Sequence, residues 1–425
     1  MRKLVTLGLT AVAAVRVAIT IWTARTSIYG DYYASLPGSY VKTVNPVLWD
    51  SPDMRNAMGY HLETYYHGPA QYLTLYPVAY LDSYAAIAAV LQPIYTVLLA
   101  VAFWCMYSAL KPLANGRALA APLFASTFLF FPTLQAYIQR EFEVVIFALL
   151  SGALLAVMTG RRLLGGALLG YVAWFKYIPL AFIGLLGLRK WWTAIAAFAA
   201  MSAVVLAATY ALFGFHEFVN NNVPGHAGQV LQLWSYSFAP DLAGELVGAG
   251  FCQGWFESET TLANIRHGFC TIATVVPGFA PNIAYLFLCA SIAVAYLKTS
   301  SRLDRGQVAT PWRTPLEFSI VTTVCACFFF AHYYYLIVLA LPFAVLLTRY
   351  LSTDNYRLLT VWVAAYVLIS AFLIPTSVLT QLLGYDVWAA FIKGGWFLYG
   401  ELLLVWMLMR EYWRLGTHAN SVAVS

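Results

Sequence analysis

Apolar segments about 20 residues long recur along most of the chain, and they constrain the fold more than any other feature. A segment of this length spans the hydrocarbon core of a bilayer as an α-helix. Of the 425 residues, 61% are hydrophobic and only 10% are charged, which excludes an ordinary water-soluble globule. The sequence therefore predicts an all-α polytopic membrane protein, with apolar segments at residues 4–22, 84–110, 118–137, 142–159, 192–213, 282–298, 314–331, 334–348, 358–375 and 388–409.

Two of the apolar stretches need interpretation. The first begins with basic residues, as a signal peptide does, but it is as long as a full span and no clear cleavage site follows it, so we interpret it as a retained helix. Residues 163–188, "LLGGALLGYVAWFKYIPLAFIGLLGL", are too short for two crossings and too interrupted for one. We interpret them as a hairpin of two half-depth helices that returns to its starting side.

Basic residues in the short loops set the orientation, because Lys and Arg mark the cytoplasmic side. With the hairpin returning to its starting side, the basic loops all fall inside, whereas a single span there would put every later basic loop outside. The cytoplasmic set is Arg2, Lys3, Lys111, Arg117, Arg161, Arg162, Arg189, Lys190, Lys298, Arg302, Arg305, Arg313, Arg349, Arg357, Arg410 and Arg414. The sequence thus predicts about 12 hydrophobic helices in one domain, residues 1–425, with both termini cytoplasmic. The net charge of +6 fits anionic lipid headgroups and not nucleic acid.

Two long loops, residues 23–83 and 214–281, lie outside in this topology and carry most of the acids and histidines. Long loops with structure of their own are usually functional, although polar residues at a wet surface need no function. Cys252 and Cys270 share the second loop, and in an oxidising compartment they predict a disulfide, with two free thiols as the alternative. No zinc spacing, nucleotide-binding glycine loop or Ser/His/Asp signature occurs, so we predict neither a metal nor a cofactor.

The first outer loop combines acids with aromatic residues. Asp31, in "SIYGDYYASLPG" (27–38), follows the first helix, and "YYHGPAQYLTLYPVAYLDSY" (65–84) is typical of an aromatic segment along the membrane surface. A belt of Tyr and Trp at the interface explains many of these rings. It does not readily explain the acids of the same loop, which are Asp31, Asp50, Asp53 and Glu63.

A second polar cluster, "YIQREFE" (137–143), lies at the outer junction of two apolar segments. The alternative to a binding role is a solvated turn with an internal ion pair.

The third candidate position is Lys176 in "AWFKYIP", at the tip of the predicted hairpin. An ionisable group at membrane depth normally faces a wet cavity or a partner, although a lysine can also extend to the headgroups. With His332, Tyr333 and Tyr334 in another outer turn, we expect one outward-facing pocket.

These motifs together resemble a known family. The acid after helix one, "YHGPAQYLTLYPVAYL", "GGALLGYVAWFKYIP" followed by "RKWW", and "HYYYL" are similar to the C-fold (GT-C) membrane glycosyltransferases. The resemblance is greatest to glycosyltransferase family 87, which includes polyprenol-phosphate-mannose-dependent mannosyltransferases that act on phosphatidylinositol mannosides. It implies a GT-C architecture with structured outer loops and no separate soluble domain, in a bacterial inner (plasma) membrane with the active site facing outward.

The resemblance also implies roles for individual residues. Asp31 matches an aspartate that acts as general base on the acceptor hydroxyl, Lys176 matches a lysine that holds the donor phosphate, and His332 matches a late histidine that lines the same cavity. Arg140 of the second polar cluster is expected to join Lys176 and His332 at the donor phosphate. Substrate contacts are expected at Tyr32, Tyr66, His67, Gln139, Glu141, Tyr333 and Tyr334. The tyrosine-rich insertion at residues 39–64 fits the pattern less well.

The expected function follows from this chemistry. Sugar transfer from a polyprenyl phosphate needs a base for the acceptor proton and positive groups for the leaving phosphate. We expect transfer of a sugar, which the resemblance implies is mannose, to a lipid or glycan acceptor on the outer face, with inversion. A transporter or flippase of lipid-linked sugars is the alternative, although its repeated halves are not evident here. A non-catalytic assembly subunit would leave Asp31 without a chemical role.

Overall fold

A computed structural model of the chain describes residues 2–26, 69–81, 84–138, 141–176, 181–217, 265–305, 310–328, 333–370 and 396–423. Within these ranges the chain forms α-helices and short 3₁₀ helices, and no strand. The predicted all-α class is confirmed.

Fifteen α-helices occur in the described ranges. They are α1 (Arg2–Thr26), α2 (Pro69–Leu75), α3 (Tyr84–Leu110), α4 (Ala120–Phe128), α5 (Phe131–Ile138), α6 (Glu143–Met158), α7 (Arg162–Lys176), α8 (Ala181–Leu188), α9 (Trp192–Glu217), α10 (Ile265–Val275), α11 (Pro281–Arg305), α12 (Arg313–Cys327), α13 (Ala340–Ser352), α14 (Tyr356–Ile369) and α15 (Trp396–Ala423). The 3₁₀ helices are Tyr76–Tyr80, Lys111–Leu113 and Tyr333–Leu339.

Four helical segments in the described ranges are long and apolar enough to cross a membrane: Ala86–Leu113, Trp192–Leu212, Pro281–Arg305 and Tyr335–Ser352. The number rises to five if α4 and α5 form one broken span. Several shorter apolar helices accompany them, among them α6 and α7. The membrane character is therefore clear, while the figure of about 12 helices stays a prediction.

The predicted interruption in residues 163–188 is present. Helix α7 ends at Lys176 and α8 begins at Ala181, and both helices pack against α9. Pro179 lies between them, and a proline lacks the backbone donor that a continuous helix needs. Because α9 begins shortly after α8 ends and starts beside the first turn of α7, the chain returns through α8 to the end at which α7 begins. The side of the membrane on which that end lies stays a prediction.

Two other apolar segments differ from their predicted form. Residues 118–137 are divided, since α4 ends at Phe128 and α5 begins at Phe131. Pro132 has no N–H to donate to the carbonyl of Phe128, so a continuous helix is disfavoured there, whereas a proline is tolerated in the first turn of a new helix. Residues 334–348 begin as a 3₁₀ helix, and the α-helix starts only at Ala340. Pro342 then falls in the first turn of that helix, where its missing N–H costs nothing.

The segment predicted at 388–409 is longer than its apolar stretch, because α15 continues to Ala423. The sequence after Met409 is charged, and its charges are paired. The carboxylate of Glu411 lies 2.9 Å from Arg410 Nη1 and 3.3 Å from Arg349 Nε of α13. These ion pairs stabilise helix beyond the point at which hydropathy alone predicts its end.

One compact unit comprises Met1–Ala109 and Thr133–Trp234. Its central element is α7, which packs against α6, α9 and the short helix α2. Glycines allow α7 and α9 to approach closely. A Cβ on Gly166 would lie 2.1 Å from the carbonyl oxygen of Ala194, and one on Gly170 would lie 2.5 Å from that of Phe198. Gly166 faces Ala194, and Gly170, one turn further along α7, faces Phe198, one turn further along α9. The two helices therefore run parallel, and both begin at the same end of the unit.

The other compact unit comprises Leu110–Pro132 and Ser235–Ser425. Helix α15 is its centre and packs against α10, α11, α12, α13 and α14. A buried polar network ties α12 to α15, since Arg313 Nε donates to Glu317 Oε1 at 2.8 Å and the hydroxyl of Tyr412 donates to the same oxygen at 2.6 Å. Breaking such a buried pair by removing one partner typically costs about 3–5 kcal/mol.

Candidate functional site

Most of the predicted site residues lie outside the described ranges, so their roles stay predictions. They are Asp31, Tyr32, Tyr66, His67, Gln139, Arg140, Cys252 and His332. Of Lys176, Tyr333 and Tyr334 the structure describes the backbone only. Glu141 is described in full.

Two glutamates at the start of α6 are buried. Glu141 is 5% exposed and Glu143 is 2% exposed, and Phe142 between them is also buried. The backbone N–H of Glu141 donates to the carbonyl of Ala136 at 2.8 Å, which fixes the turn between α5 and α6. A solvated turn, the alternative interpretation of "YIQREFE", is therefore wrong for these two carboxyl groups.

The two glutamates differ in their relation to the helix. Glu143 is the first residue of α6, where the helix dipole favours a negative side chain. Glu141 precedes the helix and accepts at its carbonyl from the N–H of Val144 at 3.2 Å. The dipole gives Glu143 a structural reason to be acidic that Glu141 does not share.

A series of three aromatic rings connects these glutamates to α7. The ring of Phe142 lies 6.4 Å from the ring of Phe175, and that of Phe175 lies 5.5 Å from the ring of Tyr171, between centroids. Phe175 directly precedes Lys176, the last residue of α7. The segment with the buried carboxyl groups thus packs against the end of the helix that carries the predicted phosphate ligand.

The first-loop segment packs on the same helix. The hydroxyls of Thr74 and Tyr171 lie 3.0 Å apart, and the Tyr171 hydroxyl also donates to the carbonyl of Ala70 at 3.5 Å. Ala70, Gln71 and Leu75 of α2 are buried, as expected for a helix packed on a protein surface. The aromatic segment at 65–84 therefore includes a helix that contacts α7 one turn before Phe175.

Tyr137 fixes the other end of "YIQREFE". Its hydroxyl and the Oγ1 of Thr96 in α3 are hydrogen-bonded at 2.7 Å, and the side chain is buried. This contact and the Phe142 contact hold the segment at both ends. Within one compact unit, three segments that the sequence analysis singled out are thus in mutual contact through α7.

The position of Lys176 along α7 has two consequences. A cation in the last turn of a helix interacts favourably with the helix dipole, which is a structural reason for a lysine there. Lys176 also lies about 21 Å along the helix from Arg162, at about 1.5 Å per residue, whereas the hydrocarbon core is about 30 Å thick. A helix that begins at the headgroups with Arg162 therefore ends at membrane depth.

The other unit contains two further features near predicted residues. Cys270 of α10 is buried and disulfide-bonded, while its predicted partner Cys252 lies outside the described ranges, so the pairing stays a prediction. Tyr333 and Tyr334 begin the 3₁₀ helix Tyr333–Leu339.

Glu401 of α15 is a buried carboxyl that the sequence analysis missed. It has no exposed surface and lies beside the thiol of Cys327. An ionisable residue within an apolar segment, here "WFLYGELLLVW", is the same signal that pointed to Lys176. Applied to every apolar segment, that criterion would have found it.

Comparison with sequence models of protein families identifies the family. The sequence model of glycosyltransferase family 87 matches residues 65–310, which is more than half of the chain. A search of curated protein sequences finds no match. The matched range includes α2, Glu141 and Lys176, whereas Asp31 precedes it and His332 follows it.

Proposed function

Since this chain belongs to glycosyltransferase family 87 and is a membrane glycosyltransferase, we propose that it transfers mannose from a polyprenyl phosphate sugar donor to a lipid or glycan hydroxyl. The proposal places the reaction on the outer face of a bacterial inner membrane, in a GT-C architecture of about 12 hydrophobic helices with both termini cytoplasmic.

One observation carries the proposal beyond the family. The ring series Tyr171, Phe175 and Phe142 joins a buried acidic segment and the first-loop helix α2 to the end of α7. A donor with a charged phosphate and an apolar chain needs polar groups at membrane depth beside a surface that lipid can reach. The end of α7 supplies the polar groups, because it combines Lys176 with the nearby segment that carries Glu141 and Glu143.

The proposed donor site is cationic. Lys176 holds the donor phosphate, with Arg140 and His332 beside it, because a cation stabilises the charge that remains on the leaving phosphate. Glu141 and Gln139 bind hydroxyls of the sugar, and the same role is proposed for Tyr32, Tyr66, His67, Tyr333 and Tyr334.

The proposed reaction is a single displacement. The acceptor oxygen forms a bond to the anomeric carbon while the bond from that carbon to the phosphate oxygen breaks. The carboxylate of Asp31 takes the acceptor proton, and the polyprenyl phosphate leaves as an anion. One displacement inverts the anomeric configuration, by analogy with inverting glycosidases.

Reconstitution of the full-length protein tests the proposal. Liposomes with the protein, polyprenyl phosphate mannose labelled in the sugar, and a membrane lipid extract as acceptor should yield a labelled glycolipid. Sugar nucleotides should not replace the donor, and polyprenyl phosphate glucose provides the matched control for the sugar. Transfer from a sugar nucleotide alone would refute the proposed donor.

The same liposomes separate the enzyme from a flippase. A flippase moves the labelled donor to the opposite leaflet without forming a new glycoside, so the label stays in the donor. Movement of the donor across the bilayer without any product would favour the transporter and count against the enzyme.

A further inference from the structure

Gln92, in the first half of α3, is a buried amide without a partner. Its side chain is 9% exposed, and its Oε1 and Nε2 are both shielded from solvent. Among the residues that the structure describes, neither of these two atoms has a hydrogen-bond partner. Leaving a donor and an acceptor unpaired away from water is costly, so such a group calls for a reason.

The backbone at Gln92 is tied to the segment that carries the buried glutamates. Thr96, one turn later in α3, donates from Oγ1 to the carbonyl of Gln92 at 2.9 Å. The same Oγ1 lies 2.7 Å from the hydroxyl of Tyr137, which is therefore the donor of the second bond, because a threonine hydroxyl carries one hydrogen. Two consecutive hydrogen bonds thus connect Gln92 to the first residue of "YIQREFE".

The predicted topology puts Gln92 and Glu141 on the same side of this contact. In that topology α3 runs inward from the first outer loop, and α5 runs outward to the junction at residues 137–143. Gln92 therefore lies outward of Thr96, just as Glu141 lies outward of Tyr137.

Gln92 also lies at a depth similar to that of Lys176. It follows Tyr84, the first residue of α3, by about 12 Å at about 1.5 Å per residue. Lys176 lies about 21 Å from the start of α7 in a hydrocarbon core about 30 Å thick, which leaves about 9 Å to the outer face. An amide at this depth is in the layer where the donor phosphate and its sugar are proposed to bind.

The two unpaired atoms indicate what kind of ligand fits. The amide nitrogen donates and the amide oxygen accepts, so a ligand that satisfies both must accept from one and donate to the other. A phosphate diester only accepts, whereas the hydroxyls of a sugar do both. The amide therefore matches the sugar of the donor, and not its phosphate or its polyprenyl chain.

Pro93, directly after Gln92, gives α3 a way to uncover the amide. A proline within a helix has no N–H for the carbonyl four residues earlier, here that of Ala89, and helices bend at such positions. A bend at this point moves the turn that carries Gln92 with little loss of backbone hydrogen bonding.

We propose that Gln92 is a sugar-binding residue, whose side-chain amide forms hydrogen bonds with hydroxyls of the hexose carried by polyprenyl phosphate. This inference rests on the proposed function and adds a specificity-determining residue to it. Without the donor the amide is unpaired, and the bound sugar satisfies it. A sugar that lacks the contacted hydroxyl leaves the amide unpaired and is rejected for that reason.

Gln92→Met tests whether the amide serves binding or the fold. Methionine has a similar length and no amide, so the variant should keep or raise the melting temperature in detergent, because it removes an unpaired buried group. With polyprenyl phosphate mannose as donor, its kcat/KM should fall roughly tenfold, the scale of two lost neutral hydrogen bonds. A lower melting temperature with parental transfer would show that the amide is satisfied within the resting protein, by ordered water for example, and would overturn the proposal.

Donor analogues that each lack one sugar hydroxyl give a readout that a purely structural role does not change. The parent protein should discriminate against at least one of these deoxymannose donors by roughly tenfold, the scale set by an unpaired amide. Gln92→Met should transfer that analogue and mannose at similar rates, because neither sugar meets an amide there. The same discrimination in parent and variant would overturn the proposal.

Thr133→Val is the matched control. Thr133 has no exposed surface, and its Oγ1 is likewise unpaired among the described residues. It lies one turn before Tyr137 in α5, which is the inner side of the contact with Thr96 in the predicted topology. The control should keep the parental discrimination among the deoxy donors, and its loss there as well would overturn the proposal.

The parent protein separates this inference from the function on which it rests. If it transfers glucose and not mannose from polyprenyl phosphate, the proposed sugar is wrong, and deoxyglucose donors test Gln92 in the same way. If it transfers no sugar from polyprenyl phosphate, the proposed donor and the role of Gln92 are both refuted.

Discussion

The ring of Phe142 lies 6.4 Å from the ring of Phe175, so the segment between two buried glutamates touches the residue next to Lys176. Residues far apart in the sequence thereby form one side of a candidate site. The contact is made by apolar rings, which place the backbone of Lys176 beside the segment that carries Glu141 and Glu143.

This contact predicts that the ring pair positions the site. Phe142→Leu and Phe175→Leu should each lower sugar transfer roughly tenfold, because small displacements near a reacting centre are costly. In the double variant the two effects on unfolding should be non-additive by about 0.5–1.5 kcal/mol, the usual coupling of an aromatic pair. Transfer assays and thermal unfolding in detergent give both quantities.

Phe103→Leu is the matched control, since Phe103 also packs on a ring, that of Tyr107, at 6.4 Å. It lies within α3 and should leave transfer near the parental rate. If the Phe103 variant lost as much transfer as the other two, the effect would reflect general destabilisation instead of positioning.

The two buried glutamates should differ in function. Glu141→Gln is expected to lower transfer by roughly tenfold to a hundredfold, since it removes a charged hydrogen-bond acceptor proposed for the sugar. Glu143→Gln should chiefly lower stability, by about 0.3–1 kcal/mol, because it loses a charge at the start of α6. Transfer rates and melting temperatures of the two variants test this difference. A loss of transfer in Glu143→Gln with only a loss of stability in Glu141→Gln would exchange the two roles.

Lys176→Met is expected to weaken donor binding. Loss of a charge-assisted contact to phosphate should raise the KM for the donor by roughly tenfold to a hundredfold, with a smaller change in kcat. Lys298→Met, in the exposed part of α11, controls for the loss of one lysine. Equal affinity of parent and Lys176→Met for polyprenyl phosphate would remove Lys176 from the phosphate site.

The predicted topology is tested by labelling. In intact cells, Asn221→Cys should react with an impermeant thiol reagent, because residues 214–281 are predicted to lie outside. Ser301→Cys, an exposed position in α11 on the predicted cytoplasmic side, should react only after permeabilisation. The opposite pattern would invert the topology and move the proposed site to the inner face.

Much of the helical structure could be predicted from hydropathy. The segment at 84–110 is a helix with those bounds, and the interruption after Lys176 follows from Pro179. The end of α15 could not be predicted, because Glu411 pairs with Arg349, which is distant in the sequence. A charged residue that the sequence alone places in solvent can therefore be paired, in the folded protein, with a residue far away in the sequence.

The contacts of the site were less predictable than its helices. Almost all of α6 is apolar and buried, so no stripe of polar residues indicates which face meets α7. The contact of Phe142 with Phe175 is therefore invisible to sequence periodicity. Glu401, in contrast, is predictable from sequence, since it is an ionisable residue within an apolar segment.

Replacement of the proposed base tests the central claim most directly. Asp31→Asn keeps the shape of the side chain but cannot accept a proton, so the purified variant should still bind the polyprenyl phosphate donor while transfer falls by about two to four orders of magnitude. Asp50→Asn, Asp53→Asn and Glu63→Gln, acids of the same loop, should lose much less. Near-parental transfer by Asp31→Asn, with donor binding intact, would contradict the account.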